Sequence, residues 1–143
     1  MSEVVTRRWE VAREPTFVRE VRDRARAVLA AWGADEAADD VTLRLSELVT
    51  NALAHGGGRI SVSLALNPVT GTLTCAVGDE TAEGIDRIAA GLTRRPDPLG
   101  DDLGDDLAED GRGLPLVALL ATDRGVRRTP RGGKAVWFTY ALR

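Results

Sequence analysis

Apolar residues recur along the first third of the chain with the spacing of helices. From Pro15 onward they return every three or four positions, which predicts an amphipathic helix that Gly33 closes. Its apolar face comprises Phe17, Val21, Ala25, Val28 and Trp32. Residues 35–40 are mostly polar and predict a connector to a second helix.

The second helix contains the stretch 44–58, RLSELVTNALAHGGG. Its apolar stripe comprises Leu45, Leu48, Val49, Ala52 and Leu53. Glu47, Asn51 and His55 are four residues apart from one another, so they line up on a different face. We expect Asp39 or Asp40 to cap the start of this helix. We expect the glycines at 56–58 to end it in a left-handed conformation.

Strict alternation in the next segments predicts strands. Val4–Val11 predicts a short edge strand, and residues 59–66 and 73–77 predict a hairpin around a turn at 67–71. The inward parity of Leu73, Cys75 and Val77 continues to Asp79, so a carboxylate is expected on the core side at a strand end. A buried carboxylate needs a donor, either from the protein or from a ligand.

The last third of the chain is less regular. Residues 81–110 predict a long loop or lid that ends in a strongly acidic run. Gly111-Arg112-Gly113 then opens an apolar helix over 114–121, and residues 124–128 and 135–142 predict a closing hairpin. The order predicts one α/β domain over residues 1–143, a two-layer sandwich of a mixed, largely antiparallel sheet with helices on one face.

Composition narrows the function classes. A net charge of −3 argues against non-specific binding to nucleic acid or to an anionic membrane. The single cysteine, Cys75, cannot form an internal disulfide, and no signal peptide or membrane-spanning run is visible. These features predict a cytoplasmic protein.

Three motifs in a fixed order carry a family resemblance. They are Glu47–Ala52 (ELVTNA), Asp79 at a strand end, and Gly111-Arg112-Gly113-Leu114 opening a helix. The set resembles the GHKL ATP-binding fold of gyrase-type ATPases, Hsp90 chaperones and histidine kinases. The stretches SELVTNALAHG, GRGL and GGKAVWF resemble its stand-alone branch, the bacterial anti-sigma-factor serine/threonine kinases, in detail.

The resemblance implies roles for these residues. The asparagine that matches Asn51 would bind Mg²⁺ through its side-chain oxygen, and Glu47 would act as general base or orient a metal-bound water. Asp79 would accept a hydrogen bond from the adenine amino group. The motif at 111–114 would lie at the ATP phosphates, with the two glycines allowing the backbone to approach them.

Two departures from the family pattern concern the adenine pocket. The run after Asp79 is Glu80-Thr81-Ala82-Glu83-Gly84, which lacks the usual D-x-G-x-G glycine pair. Ala135 follows Lys134 where relatives often carry threonine, so a hydroxyl expected to reach the adenine region is missing. We expect a differently shaped pocket and weaker nucleotide affinity.

Several residues keep a second interpretation. Glu47 is either a base or a solvated glutamate, and Lys134 is either a solvated turn residue or a contact for nucleotide or partner. The acidic run at 101–110 is either a solvated lid or a docking surface for a basic partner.

The first functional hypothesis is a Mg-ATP-dependent kinase. It would transfer the γ-phosphoryl group to serine or threonine of an antagonist protein and thereby control a sigma factor. The second hypothesis is a non-catalytic ATP-binding interaction module that uses the nucleotide as a structural or switching ligand. A histidine-kinase catalytic domain acting in trans is a weaker third hypothesis. Homodimers are common in the family, so a homodimer is possible.

Overall fold

The computed structural model describes residues 4–93 and 123–142. The elements are β1 (Val5–Val11), α1 (Phe17–Ala31), α2 (Ala38–His55), β2 (Ile60–Asn67), β3 (Thr72–Asp79), α3 (Ile85–Thr93), β4 (Asp123–Arg128) and β5 (Lys134–Ala141), with one 3₁₀ turn at Asp35–Ala37. Residues 94–122 fall outside the described part. The predicted glycine motif at 111–114, the predicted helix at 114–121 and the acidic run at 101–110 all lie there.

The five described strands form one sheet in the order β1-β2-β3-β5-β4, and each neighbouring pair is antiparallel. Both predicted hairpins are present, and β1 is an edge strand as expected. The β3–β5 register places Asp79 opposite Lys134. The predicted α/β sandwich is confirmed, with the described sheet wholly antiparallel.

Alternation along the strands defines the core face of the sheet. Inward residues such as Val62, Leu64, Cys75 and Phe138 are fully buried and pack against the apolar stripes of α1 and α2. Their neighbours in sequence face the opposite side. This packing supplies the apolar burial that stabilises the domain and fixes α2 across β3.

The start of α2 differs from the prediction. The N-cap is Ala37, and no side chain caps the helix, so the expected Asp39 or Asp40 cap is wrong. The 3₁₀ turn runs directly into α2, which places both aspartates inside the first turn. Asp39 instead pairs with Arg26 at 2.9 Å, and Asp40 accepts the Tyr140 hydroxyl at 3.0 Å.

The end of α2 also differs in detail. The helix ends at His55 as expected, but Gly56 is extended, with φ −90° and ψ −175°. The left-handed residue is Gly58, with φ +68°. The chain therefore leaves the helix in an extended conformation and turns two residues later, towards β2.

Part of the predicted irregular segment is a helix. Residues 85–93 form α3, so the prediction of a loop or lid over the whole of 81–110 is wrong for these residues. Ile88 and Leu92 are four residues apart and buried, and α3 packs against β4. No helix in the described ranges is long and apolar enough to cross a membrane.

Candidate nucleotide-binding site

A buried ion pair closes one end of the site. Lys134 Nζ lies 3.1 Å from Asp79 Oδ1 and 3.0 Å from Oδ2, and it also donates to the carbonyl of Thr81 at 3.0 Å. Only 1% of Lys134 and 8% of Asp79 is exposed. The interpretation of Lys134 as a solvated turn residue is therefore wrong: its strand register points it into the core beside Asp79.

The Asp79 carboxylate obtains further donors from the protein. Oδ1 accepts the Thr81 N–H at 2.9 Å and has a longer contact of 3.5 Å with the Gly57 N–H. Oδ2 has Lys134 as its hydrogen-bonding partner among the described residues. A carboxylate has about four acceptor positions, so Oδ2 keeps a lone pair for a further donor.

Two glycines allow this close packing around Asp79. A methyl group on Gly56 would lie 2.6 Å from Asp79 Oδ2 and 2.7 Å from the Ala52 carbonyl oxygen. A methyl group on Gly133 would overlap the backbone carbonyl of Asp79. The glycines at these positions therefore serve close approach between α2, β3 and the β4–β5 turn.

The segment after Asp79 is held by hydrogen bonds where the family has glycines. The Glu80 N–H donates to the Gly57 carbonyl at 2.7 Å, and the Glu80 carboxylate accepts the Arg59 N–H at 2.7 Å. The Glu83 N–H donates to the Thr81 hydroxyl at 3.2 Å. The two Glu80 bonds join the segment to the turn between α2 and β2, and the Glu83 bond lies within the segment.

The expected effect of Ala135 is not supported by the register. Ala135 pairs with Gly78, and its side chain alternates with that of Lys134, so it faces away from the Asp79 carboxylate. A hydroxyl at 135 would lie on the opposite face of the sheet. The position across from Asp79 is occupied by Lys134.

The second part of the site lies on α2. Glu47 and Asn51 are half-buried one turn apart, as the four-residue spacing predicts, whereas His55 is exposed in the last turn. Arg87, in the first turn of α3, reaches Asn51: its Nη2 lies 3.5 Å from Asn51 Oδ1. Burial raises the pKa of Glu47 above its ordinary value of 4.5.

Arg13 fixes the end of α2. Its guanidinium donates to the carbonyls of Leu53 at 2.9 Å, Ala52 at 3.2 Å and Gly56 at 3.2 Å, with a longer bond to Gly58 at 3.4 Å. A cation at a helix C-terminus satisfies carbonyls that lack intrahelical partners and interacts favourably with the helix dipole. Arg13 therefore holds the turn that contacts Asp79.

A family model decides the relationship. The model of the histidine kinase-like ATPase domain matches residues 11–140. The chain belongs to this family. The matched range includes α2, Asp79, Lys134 and the motif at 111–114.

A solved structure supports the fold. The chain resembles a crystal structure described as the RsbU and RsbW domains of Rv1364c from Mycobacterium tuberculosis, with 21% identity and a TM-score of 0.64. The match covers 96% of this chain and 32% of that one, so this chain spans about a third of that protein's length. No curated protein matches.

The histidine kinase-like ATPase domain implies ATP as a ligand, and the chemistry of the site fits ATP. Asp79 Oδ2 can accept one more donor, and Asn51 offers the hard oxygen that Mg²⁺ prefers. Within residues 4–93 and 123–142, no group of three or more His, Cys, Asp or Glu side chains could hold a metal ion. A magnesium ion here would therefore take most of its ligands from phosphate and water.

Glu47, Asn51 and Asp79 were predicted from the sequence: the structure places Glu47 and Asn51 on α2, and Asp79 at the end of β3. Sequence reasoning missed Arg13 and Arg87, which come from distant segments and have no distinguishing signal in an arginine-rich chain. The roles expected for Gly111, Arg112, Gly113 and Leu114 lie outside the described residues and stay predictions.

A cleft of about 520 Å³ is lined mainly by residues on the face of the sheet opposite the helices. Its lining includes small side chains, among them Ser61, Ser63 and Ala76, and arginines such as Arg8 and Arg127. Neither Asn51 nor Glu47 lines it. Asp79 and Lys134 do line it, so the cleft adjoins the ion pair at one end of the candidate nucleotide site.

Proposed function

We propose that the protein is a cytoplasmic Mg-ATP-binding regulator that phosphorylates serine or threonine of an antagonist protein and thereby controls a sigma factor. The observation that carries the proposal is the placement of Asn51 and Glu47, half-buried and one turn apart, on the helix whose C-terminal turn contacts Asp79. The match of residues 11–140 to the ATPase-domain family supports it.

Each residue has a defined task in this proposal. Asp79 Oδ2 accepts the adenine amino group, and the ion pair with Lys134 keeps the carboxylate in position. Asn51 Oδ1 supplies the protein ligand to Mg²⁺. When bound, the ion neutralises charge on the phosphates of ATP. The motif at 111–114 is proposed to approach the phosphates through its backbone.

Phosphotransfer then requires a base. The hydroxyl oxygen of the acceptor serine or threonine attacks the γ-phosphorus, the bond from the γ-phosphorus to the bridging oxygen breaks, and ADP leaves. Glu47 takes the hydroxyl proton. Its raised pKa suits this task, since a general base works best when its pKa is closer to the working pH.

The test separates binding from chemistry by two substitutions on the same helix. Glu47→Gln should keep ATP affinity and lose transfer of labelled γ-phosphate to the antagonist protein, because the amide cannot accept the proton. Asn51→Ala should lose phosphate transfer together with the magnesium-dependent part of the ATP affinity. Equal transfer by wild type and Glu47→Gln would remove Glu47 from the mechanism. ATP binding without any transfer by wild type would favour the non-catalytic module.

A further inference from the structure

Arg87 has an unusual environment for an arginine. Its Nη1 atom is buried and has no hydrogen-bond partner within the described residues, while Nη2 has only the long contact with Asn51 Oδ1. No carboxylate of residues 4–93 or 123–142 forms an ion pair with it. Among the described residues, the guanidinium thus enters a partly buried site without a counter-charge.

Such a position is costly for the protein alone. Guanidinium is charged at all ordinary pH values and carries five N–H donors, so a buried nitrogen without an acceptor loses hydration and gains nothing in return. Buried polar atoms are nearly always hydrogen-bonded in native proteins, and an exception needs an explanation. The missing partner is expected to be an anion that arrives with a ligand.

We infer that Arg87 binds a phosphate group of the nucleotide. This inference rests on the proposed function and adds a residue to its site. Asn51 is the candidate magnesium ligand, and phosphates that share the ion must lie beside it. A guanidinium in contact with Asn51 is therefore placed to reach a phosphate oxygen, and its planar fork matches phosphate geometry.

The contact with Asn51 also predicts a change of partner. Asn51 Oδ1 cannot serve Mg²⁺ and remain the main acceptor for a cation such as Arg87, because the two positive charges repel. When Mg-ATP binds, the guanidinium turns from Asn51 to the phosphate. In the absence of nucleotide, Arg87 keeps the asparagine oxygen occupied.

The experiment measures nucleotide affinity and stability together. Mg-ATP is titrated calorimetrically into wild type, Arg87→Ala and Arg87→Lys, and the thermal midpoint of each protein is measured without ligand. We expect Arg87→Ala to weaken Mg-ATP binding by about tenfold to hundredfold, as expected for the loss of hydrogen bonds to a charged group. The affinity of Arg87→Lys for Mg-ATP should lie between those of wild type and Arg87→Ala, because lysine keeps the positive charge but lacks the planar guanidinium.

The ligand-free midpoint distinguishes a binding role from a structural one. A phosphate-binding arginine without a partner should leave the midpoint unchanged or raise it when removed. A lower midpoint together with weaker binding would instead indicate a structural arginine and overturn the inference. Arg22→Ala, at an exposed position of α1, removes the same charge and should change neither measurement.

The failure of this inference differs from the failure of the proposed function. If wild type and Arg87→Ala bind Mg-ATP with equal affinity while Asn51→Ala loses Mg-ATP binding, only the role of Arg87 is overturned. The buried nitrogen would then be available to a carboxylate of a partner protein. No binding by folded wild type would overturn both.

Discussion

The buried pair of Lys134 and Asp79 gives a prediction whose magnitude follows from the structure. Side-chain exposure is 2% for Lys134 and 3% for Asp79, and the ammonium contacts both carboxylate oxygens at 3.0–3.1 Å. Lys134→Met keeps most of the side-chain volume and removes the charge. The carboxylate is then left buried with two backbone N–H groups, those of Thr81 and Gly57.

Breaking a buried pair from one side costs about 3–5 kcal/mol, because the remaining charge is uncompensated. For a domain of this size, about 1 kcal/mol corresponds to roughly 2–4 °C in the thermal midpoint. Lys134→Met should therefore lower the midpoint by roughly 10 °C. Asp79→Asn should have a similar effect, since it leaves the ammonium unpaired while its amide oxygen still accepts the Thr81 N–H.

The double variant Asp79→Asn/Lys134→Met tests the reasoning. With both charges removed, no ion is left buried alone, and the double variant should lose less free energy of unfolding than either single variant. Urea unfolding followed by circular dichroism gives the four free energies. Additive losses, or a loss below about 1 kcal/mol for Lys134→Met, would show that the pair is not the stabilising unit described here.

Two further predictions concern α2. Arg13→Ala should lower the free energy of unfolding by about 1–3 kcal/mol, because its charged hydrogen bonds to the Leu53 carbonyl and the neighbouring carbonyls are lost. Arg19→Ala, at an exposed position of α1, serves as the control and should leave the free energy of unfolding unchanged. Equal free energies of unfolding for the two variants would exclude the role of Arg13 at the end of α2. The pKa of Glu47 is raised in the folded state, so the folded protein binds this proton more tightly than the unfolded chain does. Ionisation of Glu47 therefore lowers the free energy of unfolding as the pH rises from about 4.5 through the folded pKa. Glu47→Gln should therefore be more stable than wild type at neutral pH, with the advantage vanishing towards pH 4.5, and a pH-independent difference in thermal midpoint would contradict this.

The periodicity of apolar residues predicted the main helices and strands because each of them buries one face, and that face is visible in its own short stretch of sequence. The apolar stripes of α1 and α2 and the alternation in β2, β3 and β5 reflect one buried face each, and the parity that placed Asp79 in the core is part of the same signal. The helix α3 was missed although Ile88 and Leu92 carry its spacing, because glycines and charges on both sides favoured a loop.

The contacts that shape the site depend on tertiary structure. Arg13 reaches carbonyls about 40 residues away, and Lys134 meets Asp79 55 residues earlier in the chain. The expected aspartate cap of α2 failed for a related reason, since a preceding 3₁₀ turn moved the aspartates into the helix. Strand register, which sequence alone did not give, decided that Lys134 and not position 135 faces Asp79.

The most direct test of the central claim is a calorimetric titration of ATP into wild type and Asn51→Ala, each with and without Mg²⁺. Asn51 supplies the proposed protein ligand to the ion, so wild type should bind ATP more tightly when Mg²⁺ is present. Asn51→Ala should lose that magnesium-dependent gain while staying folded. Absence of ATP binding by folded wild type, or an equal gain from Mg²⁺ in both proteins, would contradict the proposed site.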